Sequence, residues 1–171
     1  MNVLEVRDLS FSYPDKSILH RLSFNVESGD FLCIIGTNGT GKSTLLKLIL
    51  NILPSTEGEI RLLGKPSDKF RDYSKIAYVS QKATSFNRDF PATVEEIVTL
   101  GLYSQKGFMQ RYTKEDKEKV AAALKRVGMY DYKDKKIGHL SGGQQQRVFI
   151  AKALVSSPEI IFLDEPTVGI D

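Results

Sequence analysis

Apolar and polar residues alternate near the start of the chain. Leu9, Phe11 and Tyr13 alternate with polar neighbours, and so do Leu22, Phe24 and Val26. A period of two marks strands with one covered face. Pro14-Asp15 and Glu27-Ser28-Gly29-Asp30 are turn signals that follow them. The pattern then changes. Phe31-Leu32-Cys33-Ile34-Ile35 is unbroken apolar sequence that reads as a buried strand, and Ser43 to Leu53 reads as a helix ended by Pro54. Gly58 to Gly64 and Ile76 to Ser80 predict two more short strands.

From Lys82 the spacing turns helical. Thr93 to Leu102 opens with the capping box Thr93-x-x-Glu96 and puts Val94, Ile97, Val98 and Leu102 on one face. A second helix runs from Thr113 to Val127 with Val120, Leu124 and Val127 as its stripe, and Gly128 is placed to end it. The stretch between them, Gln105 to Arg111, is polar. Ser141 opens a third long helix, which buries Val148, Ala151 and Leu154 or Val155 and stops before Pro158. Ile160-Ile161-Phe162-Leu163 is again unbroken and apolar, as in the middle of a covered parallel sheet. The sum is an α/β chain in three parts: a β-rich core over 1–81, a helical insertion over 82–137, and the return to the core over 138–171.

Between the apolar run and the first helix lies Gly36-Thr37-Asn38-Gly39-Thr40-Gly41-Lys42-Ser43, which fits G-x-x-x-x-G-K-[ST] at every fixed position. Glycines let backbone N–H groups turn inward around an anion, and a helix start adds its positive dipole end. Lys42 supplies an ammonium for the β- and γ-phosphates, and the Ser43 hydroxyl is a ligand for Mg²⁺. The reading is a nucleoside triphosphate site, with the triphosphate and Mg²⁺ held by Gly36, Asn38, Gly39, Thr40, Gly41, Lys42, Ser43 and Thr44. A Gly-rich turn leading into a helix is the plainer alternative. The order apolar run, loop, helix speaks against it.

The second apolar run delivers Asp164 and Glu165 at its C-terminal end. That arrangement fits the second phosphate-site motif of P-loop NTPases, with Asp164 helping to hold Mg²⁺ and Glu165 polarising an attacking water as general base. Two surface acids capping a strand is the alternative. His139-Leu140-Ser141-Gly142-Gly143-Gln144-Gln145-Gln146-Arg147 also has two readings. Ser141-x-x-Gln144 is a capping box, but capping does not explain two consecutive glycines, which cost helix stability unless bare N–H groups must meet an anion.

Leu140-Ser141-Gly142-Gly143-Gln144, lying between a P-loop and an Asp-Glu strand, resembles the signature of the ABC ATPases. The resemblance covers essentially the whole chain. It implies a P-loop NTPase core, mostly parallel with an antiparallel N-terminal β part, plus an inserted α-helical subdomain. It implies Tyr13 as the adenine-stacking aromatic and Gln81 as the glutamine that senses Mg²⁺ and the attacking water. Asp171, in Gly169-Ile170-Asp171, then looks like the D-loop residue. By themselves Tyr13 would be a strand aromatic and Gln81 a strand-end polar residue. The resemblance further implies two copies packed head to tail, with Ser141, Gly142, Gly143 and Gln144 of one facing the nucleotide of the other.

Tyr78 to Lys82, Phe86 to Val98 and Pro166 to Asp171 look like the ATP subunits of bacterial zinc and manganese importers. That implies membrane permease subunits as partners, no nucleic acid, and a place on the cytoplasmic face of the membrane. Phe86 and Phe90 are candidates for the groove that takes a permease helix, or else core residues. An importer for iron chelates or cobalamin, a soluble ABC ATPase, and a binding module without turnover stay open. A complete domain of this family continues past the D-loop to a switch histidine, and neither His20 nor His139 follows the Asp-Glu strand. The expectation is therefore a truncated chain, weak or inactive in hydrolysis, with a sheet lacking a strand.

Composition narrows this only slightly. At 171 residues and 41% hydrophobic content the chain can build one domain with an insertion. A net charge of +3 argues for no particular partner. The single cysteine, Cys33, excludes an intramolecular disulfide, and no run approaches the ~18 apolar residues of a membrane span.

Overall fold

The N-terminal alternation becomes two long antiparallel strands, β1 (Asn2–Tyr13) and β2 (Lys16–Glu27). The computed structural model describes residues 1–55, 57–80, 90–105 and 111–164. It divides into two compact units, Met1–Arg71 and Asp72–Asp171.

In the first unit β1 lies between β2 and β3 (Glu57–Leu62), and the short β4 (Lys65–Pro66) extends the sheet, all antiparallel. Leu4, Val6, Leu9 and Phe11 of β1 are buried together with Ile60 and Leu62 of β3. The spacing 4, 6, 9, 11 is out of phase by one residue, which explains why the alternation was visible only from Leu9. The phase is corrected by irregular pairing between Val6 and Leu9, where Asp8 adopts φ 46° and its N–H donates to Ser23 Oγ at 2.8 Å. One extra residue in the strand keeps all four apolar side chains on the same face.

Helix α1 (Lys42–Ile49) buries Leu45, Leu48 and Ile49. It ends earlier than Pro54 suggested. Asn51 takes φ 53°, its N–H donates to Leu48 O at 3.0 Å, and the N–H of Ile52 donates to Lys47 O at 2.8 Å. This is a Schellman stop with Asn in the left-handed position that glycine usually fills.

The strand expected over Phe31 to Ile35 is not formed. The run joins no ladder among the described residues, and Phe31 and Ile35 are each 89% exposed. An apolar run predicts burial, but a strand also needs a neighbouring ladder of N–H and C=O groups, and the described residues provide none for this one.

In the second unit β5 (Ile76–Val79) and β6 (Ile160–Leu163) pair in parallel, with Ile76 opposite Ile160 and Val79 opposite Leu163. β6 is covered on one face only: Phe162 is buried while Ile161 and Leu163 are each 38% exposed. Full coverage needs a layer on both sides, and among the described residues β6 has β5 as its one strand neighbour.

Helices α2 (Val94–Thr99), α3 (Lys114–Arg126) and α4 (Gly142–Leu154) share one apolar core, including Val98, Leu102, Leu124, Ile137, Val148 and Ala151. Ala153 of α4 also packs with Ala77 and Val79 of β5. So α4, which the sequence assigned to the returning core, packs directly with the helices of the insertion. The predicted continuation of α2 to Leu102 is instead a 3₁₀ turn, Leu100–Gln105. Gly101 sits against the end of α4, where a Cβ would collide with the Lys152 carbonyl and the Val155 side chain. No helix among the described residues is long and apolar enough to cross a membrane.

Asn51→Val is expected to lower the unfolding free energy by about 1–2 kcal/mol, the cost of a side chain forced into the left-handed region. Asn51→Gly should stay within about 1 kcal/mol of the parent. Urea midpoints of the two variants test the stop, and equal midpoints would contradict it.

Candidate functional site

A helix start exposes N–H groups that no turn of helix can satisfy. Of the four α-helices among the described residues, three carry a side-chain capping box. Thr93 and Glu96 form a reciprocal capping box on α2, Thr113 and Asp116 on α3, and Ser141 and Gln144 on α4. The Thr93 N–H and hydroxyl both donate to Glu96 Oε2, at 2.8 and 3.1 Å, and hold that carboxyl below the usual glutamate range.

α1 is different. Its N-cap is Gly41 at φ 98°, with no side-chain cap, and its first turn carries no acidic residue. Gly39 also has positive φ, at 82°. The Lys42 ammonium donates to Gly36 O at 2.7 Å and Thr37 O at 2.9 Å, and the Thr40 hydroxyl donates to Thr37 O at 2.9 Å. The loop therefore closes on its own carbonyls through the lysine. A Cβ on Gly41 would lie 2.5 Å from Ile18 Cγ2, and one on Gly36 would lie 2.8 Å from Thr40 Oγ1. Gly41 calls for glycine by its positive φ as well as by this contact, whereas a side chain at Gly36 would have to displace the Thr40 hydroxyl. Glycines at positive φ, a helix start with no acidic residue in its first turn and an ammonium beside it suit a triphosphate.

Gly36, Asn38, Gly39, Thr40, Gly41, Lys42, Ser43 and Thr44 are thus brought together in the first unit, and the helix begins at Lys42, one residue earlier than predicted. Tyr13 is in the same unit at the end of β1. Its ring meets Phe11 edge-on at 5.0 Å between centroids and is 41% exposed.

The second unit holds Asp164 and the residues from Ser141 to Gln144. Asp164 is buried at the end of β6, where its N–H donates to Val79 O at 2.9 Å. The Tyr78 hydroxyl donates to Asp164 Oδ2 at 3.3 Å. Partial burial, and then the neighbouring carboxylate, raise the Tyr78 pKa above the ordinary phenol value. Sequence pattern gave no hint of Tyr78, because its reach to Asp164 depends on the strand register. A hydroxyl such as that of Ser43 and a carboxylate such as that of Asp164 are hard oxygen donors of the kind Mg²⁺ takes alongside phosphates.

At α4 the capping box expected from the sequence is present: Gln144 N–H donates to Ser141 Oγ at 3.3 Å, and Ser141 N–H donates to Gln144 Oε1 at 3.0 Å. Gly142 has open space where a Cβ would point, so internal packing does not explain it. Gln81, Phe86, Glu165 and Asp171 lie outside the described residues, and Phe90 is exposed.

The profile described as "ABC transporter" matches residues 19–168. The zinc uptake system ATP-binding protein ZurA of Listeria innocua is 52% identical over 169 residues, covering 99% of this chain and 66% of the relative. The manganese transport system ATP-binding protein MntB of Bacillus subtilis is 42% identical over 168 residues, covering 98% and 66%. Among solved structures, cbiO1 of Clostridium perfringens, part of the ABC transporter complex cbiONQ, superposes with a TM-score of 0.83 at 35% identity, covering 99% of this chain and 68% of that one. The chain thus spans just under two thirds of the length of the first two relatives.

The Tyr78 contact makes a pH prediction. A raised pKa means the neutral phenol stabilises the fold up to about pH 10, and that stability is lost as pH climbs through the raised value. The parent should therefore be more stable than Tyr78→Phe from pH 7 to about pH 10, with the gap closing only above about pH 10. Urea unfolding of both proteins across that range reads it directly, and a gap that is constant with pH would contradict it.

Proposed function

The chain belongs to the ABC transporter family, and on that premise we propose that it is the ATP-binding subunit of an importer for a divalent metal such as zinc or manganese. The observation that carries the nucleotide reading is the start of α1, which lacks both a side-chain cap and an acidic residue behind the glycine loop. The cargo rests on the relatives, whose names are those of zinc and manganese systems.

In this reading the amides of Gly39 to Thr44 take the phosphates, and Lys42 exchanges the carbonyls of Gly36 and Thr37 for phosphate oxygens. Tyr13 stacks on the adenine. Ser43, Asp164 and Gln81 hold Mg²⁺, which when bound neutralises charge on the β- and γ-phosphates. Glu165 accepts the proton of the attacking water, while Gln81 orients that water. Ser141, Gly142, Gly143 and Gln144 act on the nucleotide of a second copy packed head to tail, with Asp171 at the contact between copies. The open space at Gly142 supports this, since a glycine unused by its own fold leaves room for another molecule's phosphate. Permease subunits are the membrane partners, the subunit sits on the cytoplasmic face, and no nucleic acid takes part.

Two variants of the full-length protein test the chemistry. Lys42→Ala should weaken ATP binding about 10- to 100-fold, as expected for losing charge-assisted bonds. Glu165→Gln should keep ATP, accumulate ATP-bound dimer and slow turnover by about 10²–10⁴. Unchanged binding in the first variant, or unchanged turnover in the second, refutes the assigned roles. Uptake of radioactive zinc and manganese by cells with and without the gene tests the cargo, and equal uptake of both would reject it.

A further inference from the structure

The residue after the capping box of α4 is turned into the protein. Gln145 is 5% exposed, and its Nε2 donates to Ile137 O and Leu140 O, each at 3.2 Å. Its Oε1 is buried with no hydrogen-bond partner. Turning the amide over would aim that oxygen at two carbonyls, so the side chain is used for donation alone. A buried acceptor left unpaired is a standing cost, and it accompanies the two donations.

The two carbonyls frame the turn that leads into Ser141. Ile137 O also accepts from the Leu140 N–H at 3.1 Å. The same segment is anchored from its other side: Ile137 N–H donates to Ala92 O at 3.0 Å, Val94 N–H to Lys135 O at 2.9 Å and Glu95 N–H to Lys133 O at 2.9 Å. Thr93 and Lys136 form an antiparallel bridge. The backbone Gln145 grips is therefore fixed to the start of α2, while Ser141 and Gly142 just beyond it are exposed.

We propose that Gln145 is the positioning residue of the glycine tip, holding Ser141, Gly142 and Gly143 in the attitude in which they meet the γ-phosphate of a neighbouring copy. This rests on the two-copy reading above. What matters is donation and not shape, and that separates it from ordinary packing. Gln145→Glu keeps the shape but leaves at most one donor, whereas Gln145→Lys changes the shape and restores donors. A packing role predicts that Glu is the milder change; positioning predicts that Lys is.

The test uses the full-length protein with two readouts. Amide hydrogen exchange at residues 140–143, without nucleotide, should quicken at least about tenfold in Gln145→Glu and stay within about threefold of the parent in Gln145→Lys. ATP-dependent self-association, followed by sedimentation, should weaken at least about tenfold for Glu and recover for Lys, with ATP binding itself within about twofold in all three. A Glu variant whose tip exchanges like the parent's overturns the proposal, and so does a Lys variant as impaired as Glu. If tip exchange responds as expected but the parent fails to associate with ATP, the two-copy reading falls and the positioning of the tip stands.

Discussion

Every α-helix must dispose of the N–H groups at its start, and the chain settles that demand in two ways. α2, α3 and α4 answer it with side chains of their own, and those starts are closed. α1 answers it with a glycine and a loop held by Lys42, with no side-chain cap and no acidic residue in its first turn. The difference separates a helix built only to pack from one built to receive charge. α4 combines the two, since its cap is satisfied while Gly142 leaves open space beside it.

The helical core of the second unit gives that tip a rigid backing. Residues 133–137 run beside the start of α2 and are hydrogen-bonded to it from both directions, by Ala92 O and by the N–H groups of Val94 and Glu95. Leu140 and Ile137 then enter the same apolar cluster as Val98 and Leu124. The exposed residues of the tip stand on a foundation of backbone bonds and close-packed side chains.

Much of this was legible because it is local. The P-loop spacing, the boxes Thr93-x-x-Glu96 and Ser141-x-x-Gln144, and the apolar stripes of α2 and α3 depend on residues within a few positions of each other, and the structure reproduces the boxes and stripes. What escaped depends on partners far along the chain. The phase shift at Asp8 is visible only once β1 is seen paired with β2, and Asn51 ends α1 through a backbone conformation that its sequence context did not announce. Tyr78 reaches Asp164 because β5 and β6 are in parallel register, and Gln145 finds two carbonyls that a turn elsewhere presents. Phe31 to Ile35 shows the opposite error: its composition signals burial, but composition does not provide a ladder.

Gly101 carries a consequence for motion. Where it crosses the end of α4 there is no room for a single methyl group, because the backbone of one segment lies directly on the carbonyl of Lys152. Surfaces meshed that tightly cannot glide along each other without first coming apart. Displacement imposed on the 100–105 turn would thus press directly on the end of α4.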